Sequence, residues 1–88
     1  MGVRKDIRWL KEDDDRVDLF VLIAKQGPMK ARKLKNFLQA DDWWPTKYHI
    51  DGLEENGLIE EDQEGYRLTT SGEKVFESLK TVYDIESV

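Results

Sequence analysis

The stretch DDWWPTKYHIDGLEENGLI, residues 41–59, decides the fold. Asp41-Asp42 offers side-chain oxygens to the orphan amides of a helix start. Pro45 suits a first turn, where its missing N–H costs nothing. Gly57 is a favoured residue just past a helix end. At 100° per residue, Thr46, Ile50 and Leu53 share one face, with Trp43 to its side. Trp44, Tyr48, Asp51 and Gly52 point the other way, flanked by Lys47 and His49. The reading is a helix with an apolar back and an aromatic front turned to water.

Working outward, Leu58–Asp62 and Tyr66–Thr69 are short strands around Gln63-Glu64-Gly65, so a two-stranded hairpin follows the helix directly. Thr70-Ser71-Gly72-Glu73 has the spacing of a capping box and opens a last helix reaching about Tyr83. Val75, Leu79 and Val82 form one stripe on it, with Phe76 and Tyr83 beside them. On the other side of the deciding stretch, Met29–Gln39 is amphipathic. Ala31, Leu34, Phe37 and Leu38 lie on one face, and Lys30, Arg32, Lys33 and Lys35 lie elsewhere. Asp13-Asp14-Asp15 precedes an apolar run over 16–25. That run is β-branched enough for a strand, but its acidic start and its Gly27-Pro28 stop favour a helix. Residues 1–12 form an N-terminal arm or short helix, 13–83 one domain, and 84–88 a frayed tail.

The order helix, helix, helix, hairpin, helix predicts an α+β, mostly α fold. It is a winged helix-turn-helix, with a three-helix core, a two-stranded hairpin wing and a C-terminal helix. Such domains place the exposed face of the third helix in the major groove.

Composition restricts the function. The 88-residue chain is 39% apolar and 38% charged, which supports one modest core. It has no cysteine, so disulfides and thiolate metal sites are excluded. No apolar run approaches a membrane span, and the N-terminus lacks a secretory apolar region, so a cytoplasmic protein is expected. One histidine, no Gly-rich phosphate loop and no hydrolase motif argue against an enzyme; neither a cofactor nor a metal is expected. The net charge of -5 hides an asymmetry. Residues 25–35 carry five basic side chains and no acid, whereas residues 36–65 carry nine acids and Lys47 alone.

Several spaced motifs strengthen the fold reading. Residues 48–59, YHIDGLEENGLI, resemble the recognition helix and turn of archaeal winged-helix regulators in the ArsR, MarR and PadR group. Residues 66–73, YRLTTSGE, resemble the passage from their wing into the next helix. Trp9-Leu10, Asp14-Asp15-Arg16-Val17 and Gly27-Pro28-Met29 resemble the opening of small archaeal phage-repressor-like proteins. The resemblance implies a sequence-specific regulator of transcription that binds double-stranded DNA. Its expected contacts are Trp44, Lys47, Tyr48 and His49 in the groove, Lys30, Arg32 and Lys33 on flanking phosphates, and Arg67 at the wing base. Regulators of this kind commonly dimerise through terminal helices, so a homodimer through the C-terminal helix is expected. Ahead of the Tyr-His-Ile triplet, however, stand two aspartates and two tryptophans, and the wing tip has no Lys or Arg. These features support an alternative, a winged-helix module that docks a protein partner through an exposed aromatic patch.

Overall fold

The structure is a computed structural model that describes residues 3–38 and 42–83, the last two by backbone only. The elements are α1 (Val3–Lys11), α2 (Asp14–Gln26), α3 (Ala31–Phe37), α4 (Trp43–Glu55), β1 (Ile59–Asp62), β2 (Gly65–Leu68) and α5 (Thr70–Tyr83). Asp41, the tail 84–88 and the side chains of Val82 and Tyr83 lie outside the described residues.

The ambiguous apolar run is a helix. The Asp13 carboxylate accepts hydrogen bonds from the amides of Asp15 at 2.9 Å and Arg16 at 3.3 Å, which caps α2. Gly27 ends it at φ 78°, a conformation that side chains with a Cβ rarely adopt. Leu19, Phe20 and Ile23 are fully buried, and Val17, Val21 and Leu22 pack half-buried around them. α2 is the hub of the molecule, touching α1, α4, α5 and β2.

The next helix starts later than its pattern implies. Met29 was expected to open it, but its backbone pairs with Tyr66 instead. The Met29 amide donates to the Tyr66 carbonyl at 3.0 Å, and the Tyr66 amide returns the bond at 2.8 Å. The wing is thereby stitched to the connection between α2 and α3. A Cβ on Gly65 would sit 2.5 Å from the Met29 carbonyl, so this approach requires glycine. α3 proper begins at Ala31 and buries Leu34, while Phe37, expected on the apolar face, is substantially exposed.

α4 follows the sequence reading closely. Asp42 accepts from the Trp44 amide at 3.1 Å, and Asn56 closes the far end. There the Leu58 amide reaches back to the Leu53 carbonyl and the Gly57 amide to Glu54, with Gly57 at φ 72°. This pair of bonds, with a left-handed glycine between, satisfies the last carbonyls and turns the chain into β1. The hairpin is antiparallel, pairing Ile59 with Leu68 and Asp62 with Gly65.

The cap of α5 lies one residue earlier than the Thr70 expected. Thr69 Oγ1 accepts from the Gly72 amide at 3.0 Å and donates to the Gly57 carbonyl at 2.5 Å. One hydroxyl thus joins the exit of α4 to the start of α5. Thr70 loses the role because the helix needs its cap where the Thr69 backbone still pairs with Leu58.

The core runs through every element: Leu10 of α1; Leu19, Phe20 and Ile23; Leu34; Ile50 and Leu53; Leu58, Ile59 and Tyr66; Val75 and Leu79. The C-terminal stripe expected at a dimer surface is largely used here. Val75 and Leu79 are buried within the protomer, and Phe76 meets Phe20 edge-on with ring centres 6.3 Å apart.

Candidate nucleic-acid interface

α3 and α4 present the residues singled out in the sequence, and the fold sorts them into three groups. Trp44 and Tyr48 form the first, on the outward face of α4. They are 69% and 68% exposed, the largest values among the described large apolar side chains. Their spacing of four residues sets them side by side along the helix. Trp43, one step around, packs half-buried on the core and holds the helix start down.

The second group is cationic and differs in freedom. Arg32 and Lys33 are exposed, and their side chains make no ion pair or hydrogen bond among the described residues. Lys30, just ahead of α3, donates from Nζ to the Gln63 carbonyl at the wing tip, at 3.1 Å. Lys47 is held 2.8 Å from Asp51, one turn along. That hydrogen bond, and then the Asp51 charge itself, raises the Lys47 ammonium above its ordinary value. Arg67 sits at the wing base as expected, but its guanidinium is engaged by Asp62 at 2.7 Å and Glu64 at 3.1 Å. The wing's own acids therefore occupy the Arg67 guanidinium.

The third group is a correction. His49 was expected beside the exposed face, yet it is only 7% exposed. Its angular position explains this. On a helix of 100° steps, His49 lies about 60° from Thr46 and about 40° beyond Leu53, at the margin of the apolar sector. The core reaches that far around because Asp13, at the start of α2, packs opposite. His49 Nε2 lies 3.8 Å from Asp13 Oδ1, and its Nδ1 is buried without a partner. His49 cannot touch a groove while α4 keeps this orientation. It also has neighbours that spacing along the chain does not reveal, since Asp13 and Asp15 come within 4.8 Å of it.

The sequence reading passed over two further features. Gly52 gives Trp9 of α1 its seat. A Cβ there would stand 3.0 Å from the indole. Arg16 covers the Trp9 ring at 4.1 Å and hydrogen-bonds the Trp9 carbonyl, so α1 is braced against α4 as well as α2. The signal was the mid-helix glycine, whose cost of roughly 1 kcal/mol against alanine demands a packing reason. The second feature is electrostatic. The rear half of α4 carries Asp51, Glu54 and Glu55, and β1 brings Glu61 near. Burial, then Asp51, then Glu61 raise the Glu54 carboxyl. The Tyr66 phenol is raised by burial first and then by the same acids. The outward surface of α4 is thus aromatic and cationic at its front and acidic at its rear.

The helix-turn-helix followed directly by a hairpin also appears in comparison with known proteins. The family described as winged helix-turn-helix matches residues 29–87. The chain belongs to the winged helix-turn-helix family. Among solved structures, it is similar to the activation domain of the phage T4 transcription factor MotA. The TM-score is 0.73 at 19% identity, over 85% of this chain and 79% of that one. That likeness is one of fold. No curated protein matches. Among the described residues, no helix is long and apolar enough to cross a membrane.

Proposed function

We propose that this winged helix-turn-helix protein binds duplex DNA in the cytoplasm and regulates transcription, with α4 entering the major groove. Trp44 and Tyr48 meet base edges and sugars there, and Lys47 reaches a phosphate. Arg32 and Lys33, with Lys30, grip the flanking backbone. The observation that carries the reading is the unpacked Trp44–Tyr48 pair on the helix next to Arg32 and Lys33 of α3, whose side chains have no partner among the described residues. The family match supports DNA binding and transcription regulation in general terms. The motif resemblance supports a place among archaeal ArsR-, MarR- or PadR-like regulators. His49 and Arg67 drop out of the contact set, the first by burial and the second by its two carboxylates. Pairing through α5 is no part of the proposal, since Val75 and Leu79 are buried within one protomer.

The test is affinity for mixed-sequence duplex DNA against salt. The contacts of Lys30, Arg32 and Lys33 give a log–log slope of about −2.7, or roughly 40-fold between 50 and 200 mM, and Lys47 adds up to one contact more to the extent that it leaves Asp51. Reversing Lys30, Arg32 and Lys33 to Glu should remove most of that slope. A second reading, a module that docks a protein, is favoured by the acids at the rear of α4, which repel phosphate. If no duplex binds at low salt, or if the reversals leave the slope intact, that reading replaces the first.

A further inference from the structure

We propose that Asp13, Asp15 and His49 form a binding site for a divalent transition-metal ion of the zinc class. In the chain these residues are far apart, and no fixed spacing announces them. The fold brings one ligand atom from each within 4.8 Å of the others. Tetrahedral ligand atoms with bonds of about 2.0–2.2 Å lie about 3.3–3.6 Å apart. An inward movement of about 1 Å closes the site, and Asp15, being exposed, is free to make it.

The histidine is the observation that points to a ligand. Its side chain is 8% exposed, and it makes no hydrogen bond among the described residues. Nε2 faces the Asp13 carboxylate at 3.8 Å, too long for a hydrogen bond and only slightly wider than the spacing of two zinc ligands. Buried polar groups are ordinarily partnered, so an imidazole whose Nδ1 is buried without a partner and whose Nε2 makes no hydrogen bond among the described residues has a vacant role. Asp13 already caps α2 through Oδ1. The two amides occupy the lone pairs of Oδ1, which leaves those of Oδ2 to coordinate. The neighbouring cation does not close the site. The Arg16 guanidinium is engaged by the Trp9 carbonyl, the Trp9 ring and Glu12.

One imidazole nitrogen with two carboxylates selects zinc and its neighbours over magnesium or calcium, which take oxygen alone. Three protein ligands leave a fourth position to water. An ion held here ties the start of α2 to the middle of α4. His49 is also next to the exposed Tyr48, their rings 5.5 Å apart. The ion would fix α4 from behind, whatever its front binds.

The experiment is calorimetric titration of the full chain with zinc chloride at neutral pH, with no DNA present. One ion per chain is expected. Asp15→Asn, at an exposed position, keeps the fold by circular dichroism and weakens binding about tenfold or more, as the loss of even an outer partner does. His49→Gln abolishes the same event. Glu61→Gln, an exposed acid elsewhere, leaves it unchanged. Zinc uptake that is absent, or that survives Asp15→Asn at full affinity, or that falls equally in Glu61→Gln, overturns the site. Because no nucleic acid enters the measurement, its failure leaves the DNA proposal standing.

Discussion

Helices α3 and α4 are adjacent parts of one motif, and they are built differently. α3 has seven residues, no side-chain cap, and Leu34 as its only fully buried residue among those described. Its charges Arg32 and Lys33 have no partners among the described residues. α4 has thirteen residues, an aspartate cap, and four buried side chains in Thr46, His49, Ile50 and Leu53. Its one lysine is paired with its own acid. The first helix carries free charge on light packing; the second carries shape on heavy packing, with its one lysine held by its own acid. Stability should therefore rest on the buried back of α4, and binding on the outward faces of both helices.

The largest effect is expected from Leu53→Ala. Leu53 is fully buried on the back of α4, and truncation should cost about 2–5 kcal/mol. Thermal unfolding would show a fall of many degrees. Arg32→Ala and Lys33→Ala, by contrast, should stay within about 0.5 kcal/mol of wild type. Equal losses on the two helices would break the distinction.

Next in size is binding. Trp44→Ala and Tyr48→Ala should each cost about 1–3 kcal/mol of affinity for a preferred duplex, the scale of a base contact, while unfolding barely moves. Fluorescence anisotropy at fixed salt measures the first and thermal melting the second. A smaller change is expected from Asp51→Asn. It releases Lys47 from its ion pair, so duplex affinity should rise and the salt slope steepen by up to about one contact.

The smallest effect concerns Glu54. Its folded-state carboxyl is raised, so ionising it works against the fold. The penalty grows as pH rises through that raised value and is absent below the ordinary carboxylate range. Glu54→Gln should therefore stabilise slightly at pH 7, by less than about 0.5 kcal/mol, and show no advantage in acid. Urea unfolding at two pH values reads the difference.

The same two helices show what the sequence made legible. α4 was readable at both ends because its signals are local: Asp42 at the start, and Gly57 two residues past the end. The exposure of Trp44 and Tyr48 followed from helical periodicity. The start of α3 was not readable, because Met29 is claimed by a backbone pairing with Tyr66, thirty-seven positions later. His49 was misplaced for a related reason. Angle alone puts it at the margin of the apolar sector, and Asp13 from another helix decides which side of that margin is wet. Arg67 was placed correctly on the wing base, but its neutralisation depends on the hairpin register that sets Asp62 and Glu64 around it. Local chemistry fixed the elements, and contacts between distant segments decided which of their charges are available.

The Met29–Tyr66 bridge has one more effect. A two-stranded sheet would ordinarily offer two open edges to strands from other molecules. Here the outer side of β2 is already engaged by Met29 at its tip end. The other edge belongs to β1, where Glu60, Glu61 and Asp62 stand exposed. Like charge along that rim discourages sheet-to-sheet growth, so concentrated solutions of the protein should resist β-type aggregation even though the hairpin stands at the surface.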